Sequence, residues 1–347
     1  MTHLITGGSG FVGSVIAKRL IEKGEKVRVL DIWQNHDLPK EVEFLLGDVT
    51  NEADVKKAMQ GIKYVHHNAA LVPLSKANQR YKEVNLGGTE IVMKVAKENQ
   101  VAMFSHMSSS AVYGIPDQMP ITQQTKRNPI EIYGQSKYDG ENIVLAEMAK
   151  ADGMKCAIVR PRTIIGTERL GIFEILFDWI KDGANIFIIG KGNFPFQFVH
   201  VEDLSDVSIR ACMMEKPGVY NMGTDRYGNL RDDLQNLCNY ANTGSKVKSL
   251  PEKLTIYSLL MFDKLGLSPL SPWHYLTYHK PFVFDSEYVY QALEFRPKYS
   301  NEEMFKIAYD WFIKSYDQKK VDQSASAHKS PVKQGILKVA KMFSKLL

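Results

Sequence analysis

Tyr133 and Lys137 stand four residues apart in "YGQSKYDGENIVLAEMAK", a stretch whose apolar spacing predicts a helix. Side chains at i and i+4 share a helix face, so a phenol and an ammonium would lie side by side. A free phenol, with a pKa near 10, is a poor base at neutral pH. A neighbouring cation favours phenolate and lowers that value, which fits the phenol to take or return the proton of a substrate hydroxyl. A tyrosine–lysine pair on a surface helix is by itself uninformative. Here it follows Ser108, Ser109 and Ser110 at the end of a predicted strand, hydroxyls that could bond the same reacting oxygen.

A second constellation lies in "TGGSGFVG", Thr6 to Gly13, between a predicted strand and a predicted helix. Gly7 permits a tight turn, Gly10 lets the backbone approach a phosphate, and Gly13 lets the helix pack closely on the strand. The helix N-terminus adds free N–H groups and a positive dipole end, so the loop suits a dinucleotide pyrophosphate. Asp31 ends the second strand eighteen residues beyond Gly13, where a carboxylate can bind adenosine ribose hydroxyls. It would repel a 2′-phosphate, and "DIWQNH" brings no immediate Arg or Lys, which favours NAD over NADP. Asp48 in "GDV" ends the third strand, in reach of the adenine amino group.

The elements that must position these groups alternate strictly in the first half. "HLITG", "VRVLD", "VEFLLGD", "KYVHHNAA", "VAMFSHMSS" and "KCAIVRP" read as strands. Helical patterns separate most of them, including "GFVGSVIAKRLIEKG" with Gly24 as a stop and "YKEVNLGGTEIVMKVAKEN". Near-continuous apolar strands with intervening helices predict an α/β fold, a doubly wound parallel sheet of Rossmann type. Beyond Pro161 the rhythm loosens into a smaller, irregular module. The expected organisation is an NAD-binding domain over 1–165, with 196–214 returning to it. Residues 166–195 and 215–317 then form a substrate-binding module, and 318–347 a linker and tail.

With these residues in place the chain resembles the extended short-chain dehydrogenase/reductase family over residues 1–317, including its NAD-dependent epimerase/dehydratase and 3-beta-hydroxysteroid dehydrogenase-like branches. The resemblance rests on "TGGSGFVG", "HNAA", "NLGGT", "SSSAVYG", "YGQSK", "RPRTIIG", "FVHVEDL" and "NMG", in that order. It implies NAD as cofactor and Tyr133, Lys137, Ser109 and Asn85 as the catalytic set, with Ser110 an alternative to Ser109. Asn85 would support a helix kink and a proton-relay water. The implied cofactor contacts are Gly7, Gly10, Phe11, Val12, Gly13, Asp31, Asp48, Val49, Ala69, Ala70, Tyr133, Lys137 and Pro161. A homodimer through the helices carrying Tyr133 and "NLGGT" is also implied.

Two substrate classes remain. Relatives that bind nucleotide diphosphates place an arginine before "FVHV", where this chain has "NFPFQFVHV", with Phe194, Phe196 and Gln197. His279 and Lys280 replace a second such arginine only in part, because lysine lacks the bidentate fork. The expected substrate is therefore an apolar secondary alcohol or ketone, sterol-, acyl- or lipid-like, with Ser110, Phe196 and Trp273 as candidate contacts. Against this, "SEYVYQALEFRPKYSNEEMFKIAYDWF" resembles the C-terminal segment of sugar-nucleotide 4-epimerases and dehydratases, which remain the alternative.

Other classes are disfavoured. His66, His106 and His200 read as structural residues, and no paired-histidine or paired-carboxylate pattern suggests a metal. The net charge of +5 resides in the tail, where seven lysines and one acidic residue follow from Lys319 onward, leaving a body near neutrality. A nucleic-acid partner would need a basic face on the body. Three scattered cysteines and the absence of a leader pattern predict a reduced, cytoplasmic protein. "LTIYSLLMF" is too short to span a bilayer. Residues 333–347 pattern as a basic amphipathic helix, suited either to peripheral membrane contact or to docking on the body or a partner.

Overall fold

The computed structural model describes residues 2–72, 79–168, 170–264 and 272–319, with Lys341 and Ser344 beyond them. In chain order the first elements are β1 (Thr2–Thr6), α1 (Phe11–Glu22), β2 (Lys26–Asp31), β3 (Glu43–Leu46), α2 (Glu52–Met59) and β4 (Tyr64–His67). A π-helical turn, Lys82–Gly87, leads into α3 (Gly88–Glu98), followed by β5 (Met103–Met107), a 3-10 turn (Ser110–Tyr113), α4 (Ile132–Met148) and β6 (Cys156–Pro161). Next come β7 (Thr163–Ile165), α5 (Phe173–Lys181), β8 (Ile186–Ile189), β9 (Phe198–His200), α6 (Val201–Met213) and β10 (Gly218–Met222). The last are α7 (Leu230–Ala241), β11 (Val247–Leu250), α8 (Glu252–Lys264), α9 (Pro272–Thr277), α10 (Glu287–Ala292) and α11 (Asn301–Lys319).

Seven parallel strands form one sheet in the order β10-β6-β5-β4-β1-β2-β3. The chain runs outward to β3, returns to the centre and then builds the other half, the doubly wound arrangement. Alternation along β1 shows why both faces are apolar. Leu4 packs with Val55, Val92 and Val144 from α2, α3 and α4. Its neighbour Ile5 points to the opposite face and packs with Ile16 and Leu20 of α1 and Ile209 of α6. Each such fully buried side chain contributes about 1.5–3 kcal/mol of transfer free energy.

The chain divides into two compact units. Met1–Ile164, Val199–Gly223 and Phe284–Lys298 form the first, and Ile165–Phe198, Thr224–Val283 and Tyr299–Leu347 the second. The return to the first unit is longer than the expected 196–214. The reason is pairing: β10 registers on β6 from Gly218 opposite Ala157 to Met222 opposite Pro161 and extends the sheet by a strand. Val289 of α10 then joins the core beneath it, with Val207 of α6 and Tyr220.

In the second unit β8 and β11 pair in parallel, and the interior is aromatic. Phe198 stands edge-on to Phe305 with ring centroids 5.1 Å apart, and Phe173 edge-on to Phe305 at 5.6 Å. Asn301 ties three backbone and side-chain groups here, donating to Phe196 O and Asp233 Oδ2, both at 2.7 Å, and accepting from the Phe198 N–H at 3.1 Å. Most of the basic tail lies outside the described residues. Of its two described positions beyond Lys319, Lys341 Nζ pairs with Asp178 Oδ2 at 2.5 Å and Asp182 Oδ2 at 2.7 Å. The Ser344 carbonyl accepts from Asn185 Nδ2 at 3.0 Å.

Candidate functional site

The glycine loop is shaped by what a side chain would strike. Gly7 has φ of +68°, and a Cβ there would lie 2.7 Å from Ala69 N and Cα. A Cβ on Gly13 would collide with Gly7 O and lie 2.7 Å from Gly8 Cα, so the first turn of α1 packs on the loop itself rather than on the strand. Gly10 differs. Its Cβ would meet only Gly7 O at 3.2 Å, and as N-cap of α1 it provides no side-chain acceptor. The half-buried Phe11 and Val12 follow in the first turn, leaving an uncapped, open helix start of the kind that receives a pyrophosphate.

Asp31 Oδ2 accepts the Ser9 N–H at 3.0 Å, which fixes the carboxylate beside the loop at the end of β2. Asp48 is engaged locally: Oδ1 accepts the Thr50 N–H at 2.9 Å, and its own N–H donates to Asp54 Oδ2 at 3.0 Å. Val49 is buried where a Cβ on Gly88 would meet it, and Ala69 and Ala70 are half-buried just after β4. Pro161 is the buried last residue of β6. A narrow glycine turn, an open helix start and a fixed carboxylate one strand away form a donor set that fits NAD.

Tyr133 and Lys137 both lie on the buried face of α4. Glu131 caps this helix, with Oε2 accepting the Tyr133 N–H at 2.8 Å and Oε1 the Gly134 N–H at 2.6 Å. The Tyr133 ring meets Tyr81 edge-on, centroids 6.1 Å apart. Lys137 Nζ donates to the Met107 carbonyl at 2.8 Å, which pins the ammonium to the end of the strand that carries the serines. Burial pushes this lysine down to about 8, and Glu141 opposes part of that shift.

The three serines have different partners. Ser108 Oγ donates to Glu141 Oε2 at 2.7 Å. Ser110 is buried and its Oγ accepts from Arg162 Nη1 at 3.2 Å. Ser109 is half-exposed and caps the 3-10 turn by accepting the Ala111 N–H at 3.1 Å, which leaves its proton available. Asn85 sits in the π-helical turn before α3. It clamps both backbone groups of Leu71, at 2.8 and 3.2 Å, and donates to Ser136 Oγ at 2.9 Å. Ser136 Oγ in turn donates to the Tyr133 carbonyl at 2.7 Å, so Asn85 couples the loop after β4 to the tyrosine's own turn.

Sequence reasoning missed the polar network beneath this helix face. Glu141 accepts from Arg160 Nε at 3.0 Å, Arg127 Nη1 at 2.8 Å and Ser108 Oγ. Arg160 Nη1 reaches the Tyr113 hydroxyl at 2.5 Å, and that hydroxyl donates to Asn221 Oδ1 at 2.9 Å. The spacing of Tyr133, Lys137 and Glu141 at i, i+4 and i+8 is the signal that could have found Glu141. His67 was also passed over. Thr89 Oγ1 gives its proton to Asn85 O at 2.7 Å, so His67 donates to it from Nε2 at 3.0 Å and accepts from Thr6 Oγ1 at Nδ1, 2.7 Å away. Burial, with the charge of Lys137 adding to it, pushes this imidazole down to about 3.

His66 is buried between His3 and Ser208. Among the described residues no group of three His, Cys, Asp or Glu side chains could hold a metal. Phe196 and Trp273 are both buried in the second unit, Phe196 against Phe198 and Tyr278, and Trp273 against Phe282. The structure thus gathers Tyr133, Lys137, Asn85 and the serines in one unit and places the two aromatic candidates in the core of the other.

Residues 3–223 match the model of the NAD dependent epimerase/dehydratase family. The chain is 39% identical to protein y4nG of Sinorhizobium fredii over 97% of its own length and 84% of that protein, which carries the name "Uncharacterized protein y4nG". It is 31% identical to mouse sterol-4-alpha-carboxylate 3-dehydrogenase, decarboxylating, over 58% of this chain and 56% of that one. It is 33% identical to UDP-glucose 4-epimerase of Lactobacillus helveticus over 66% of this chain and 79% of that one.

Proposed function

The chain belongs to the NAD dependent epimerase/dehydratase family, and from that premise we propose that it interconverts a secondary alcohol and a ketone on an apolar substrate. The carrying observation is the buried Lys137 ammonium, one turn beyond Tyr133 and held by the Met107 carbonyl. Held there, the cation stabilises Tyr133 phenolate, so the phenol can exchange a proton with the substrate oxygen near neutral pH. Ser109, with its proton available, donates to the same oxygen. Asn85 acts through Ser136 and Leu71 as a positioning residue. Bound NAD supplies the hydride acceptor or donor. The open N–H groups of Phe11 and Val12 would face its pyrophosphate, and Asp31 the adenosine ribose, while the Gly10 N–H closes the loop on Gly7 O at 3.1 Å.

An apolar substrate is supported by the stretch before β9, where Phe196 is buried among aromatic rings and the buried Gln197 donates to Thr224 O at 2.7 Å. Neither side chain offers a cation to a diphosphate. The similarity to the sterol dehydrogenase points the same way. The sugar-nucleotide reading draws on the UDP-glucose 4-epimerase, of which the chain covers the greater share. A panel of sterols, 3-hydroxyacyl compounds and long-chain secondary alcohols, offered with NAD, decides between them. NADH formation with one of these and none with UDP-hexoses is expected. Conversion of a UDP-hexose to its 4-epimer without net NADH would establish the alternative.

A further inference from the structure

Helix α8 presents an apolar stripe to solvent. It buries none of its residues fully, and it carries four of the eleven large apolar side chains exposed among the described residues. Leu254 is 67% exposed, Tyr257 72%, Met261 63% and Leu260 36%. These recur at three- and four-residue spacing and so form one face, while Ile256, Leu259 and Phe262 are half-buried. Exposed lysines close the stripe at both ends, Lys253 at the start of the helix and Lys264 at its last position. No ion pair engages either lysine among the described residues.

The other polar groups of α8 are turned away or satisfied within the helix. Glu252 faces His279, its Oε1 3.7 Å from Nε2. Asp263 is half-buried beside Tyr275, whose phenol is raised by burial first and by that carboxylate second. Thr255 Oγ1 donates back to Pro251 O at 2.7 Å and Ser258 Oγ to Leu254 O at 2.9 Å. Asp263 therefore sits on the inner side, Glu252 at the first position turns toward His279 with its side chain 53% exposed, hydroxyls bond their own helix, and the outer face carries hydrocarbon, one tyrosine and two cations.

We propose that this stripe of α8 is a docking face for an anionic lipid surface. A helix lying in the headgroup region inserts its apolar face and sets its lysines among lipid phosphates, and the sorting of charge on α8 matches that geometry. A second copy of the chain fits less well. Two-fold pairing of the stripe would bring Lys253 onto Lys253 or onto Lys264, and a single helix face falls well short of the roughly 800 Å² per partner of a stable interface. Helix α8 belongs to the second unit and the catalytic residues to the first, so the inference stands whatever the substrate.

The test is co-sedimentation of the full-length protein with phosphatidylcholine vesicles, with and without about one third phosphatidylserine. The wild-type chain should bind the anionic vesicles. The Leu254→Asp/Met261→Asp variant should lose about tenfold or more in partitioning, and Lys253→Glu/Lys264→Glu should lose a similar amount on anionic vesicles only. All four positions are exposed, and an unchanged melting temperature shows that the fold is retained. No wild-type binding, or binding untouched in both variants, overturns the proposal. So does a concentration-dependent dimer that Leu254→Asp/Met261→Asp abolishes, because a second copy would then cover the stripe.

Discussion

The Glu141 carboxylate and the Arg160 guanidinium meet inside the first unit, Arg160 Nε donating to Oε2 at 3.0 Å and Nη2 to Oε1. Both side chains are buried. Arg127 and Ser108 fill the remaining acceptor sites, so the carboxylate joins α4, β6 and the strand end that bears the serines. Its charge also supports the protonated form of Lys137, one turn earlier on the same helix.

Removing one partner of a buried pair leaves the other desolvated and uncompensated. Glu141→Gln should therefore destabilise the protein by about 3–5 kcal/mol, measured by chemical denaturation. The same substitution should lower the Lys137 pKa further, because a group that raises it is gone. An unchanged midpoint would show that the pair is replaceable.

Lys137 itself is expected to leave a signature in stability against pH. Its pKa falls from 10.5 in the unfolded chain to about 8 when buried, so below pH 8 the fold bears about 3 kcal/mol for keeping the charge. Between pH 8 and 10.5 the unfolded state binds more protons than the native one, and that cost is relieved as pH rises. Lys137→Met should thus be more stable relative to the wild type at pH 7 than at pH 10. A pH-independent difference in denaturation midpoint would mean that the ammonium is not desolvated.

The alternation of apolar strands with helices, the glycine turn and the Tyr133–Lys137 spacing were legible because each is a local pattern with a local physical cause. The π-helical turn around Asn85 was not. "YKEVNLGGTE" keeps helical composition throughout, and only packing decides that six of its residues bond one position further back. Arg160 and Glu141 are nineteen residues apart on different elements, so their meeting depends on the order of strands. The strand Gly218–Met222 alternates like any other, and its place at the edge of the main sheet follows from its register with β6. Three adjacent serines are indistinguishable by type. Their partners, Glu141, Ala111 N–H and Arg162, separate them.

Tyr133→Phe removes the phenol proton and leaves the ring against Tyr81. Loss of a positioned acid–base group costs about two to four orders of magnitude in kcat, while NAD affinity should stay within about threefold. Steady-state rates and an NAD titration on the same preparation check both. Near-normal turnover would remove Tyr133 from the chemistry.

The serines should divide between stability and catalysis. Ser108→Ala takes a hydrogen bond from the buried Glu141 and should cost about 1–3 kcal/mol of stability. Ser109→Ala leaves that network intact and should instead lower kcat by about a hundredfold with little change in melting temperature. The reverse pattern would reassign the reacting hydroxyl.

Asp31 has two roles that one substitution separates. Its Oδ2 holds the Ser9 N–H at 3.0 Å, a structural bond that any dinucleotide would exploit equally. Its charge discriminates, because it favours free ribose hydroxyls and repels a 2′-phosphate. Asp31→Asn keeps an acceptor for Ser9 and removes the charge, so NADP should gain relative to NAD by about tenfold, which corresponds to about 1.4 kcal/mol. Asp31→Ala removes both, so binding of either nucleotide should weaken, and that of NAD more. Equal losses for the two nucleotides in both variants would make Asp31 a cap for the loop and nothing more, and the preference for NAD would then have to come from elsewhere in "DIWQNH".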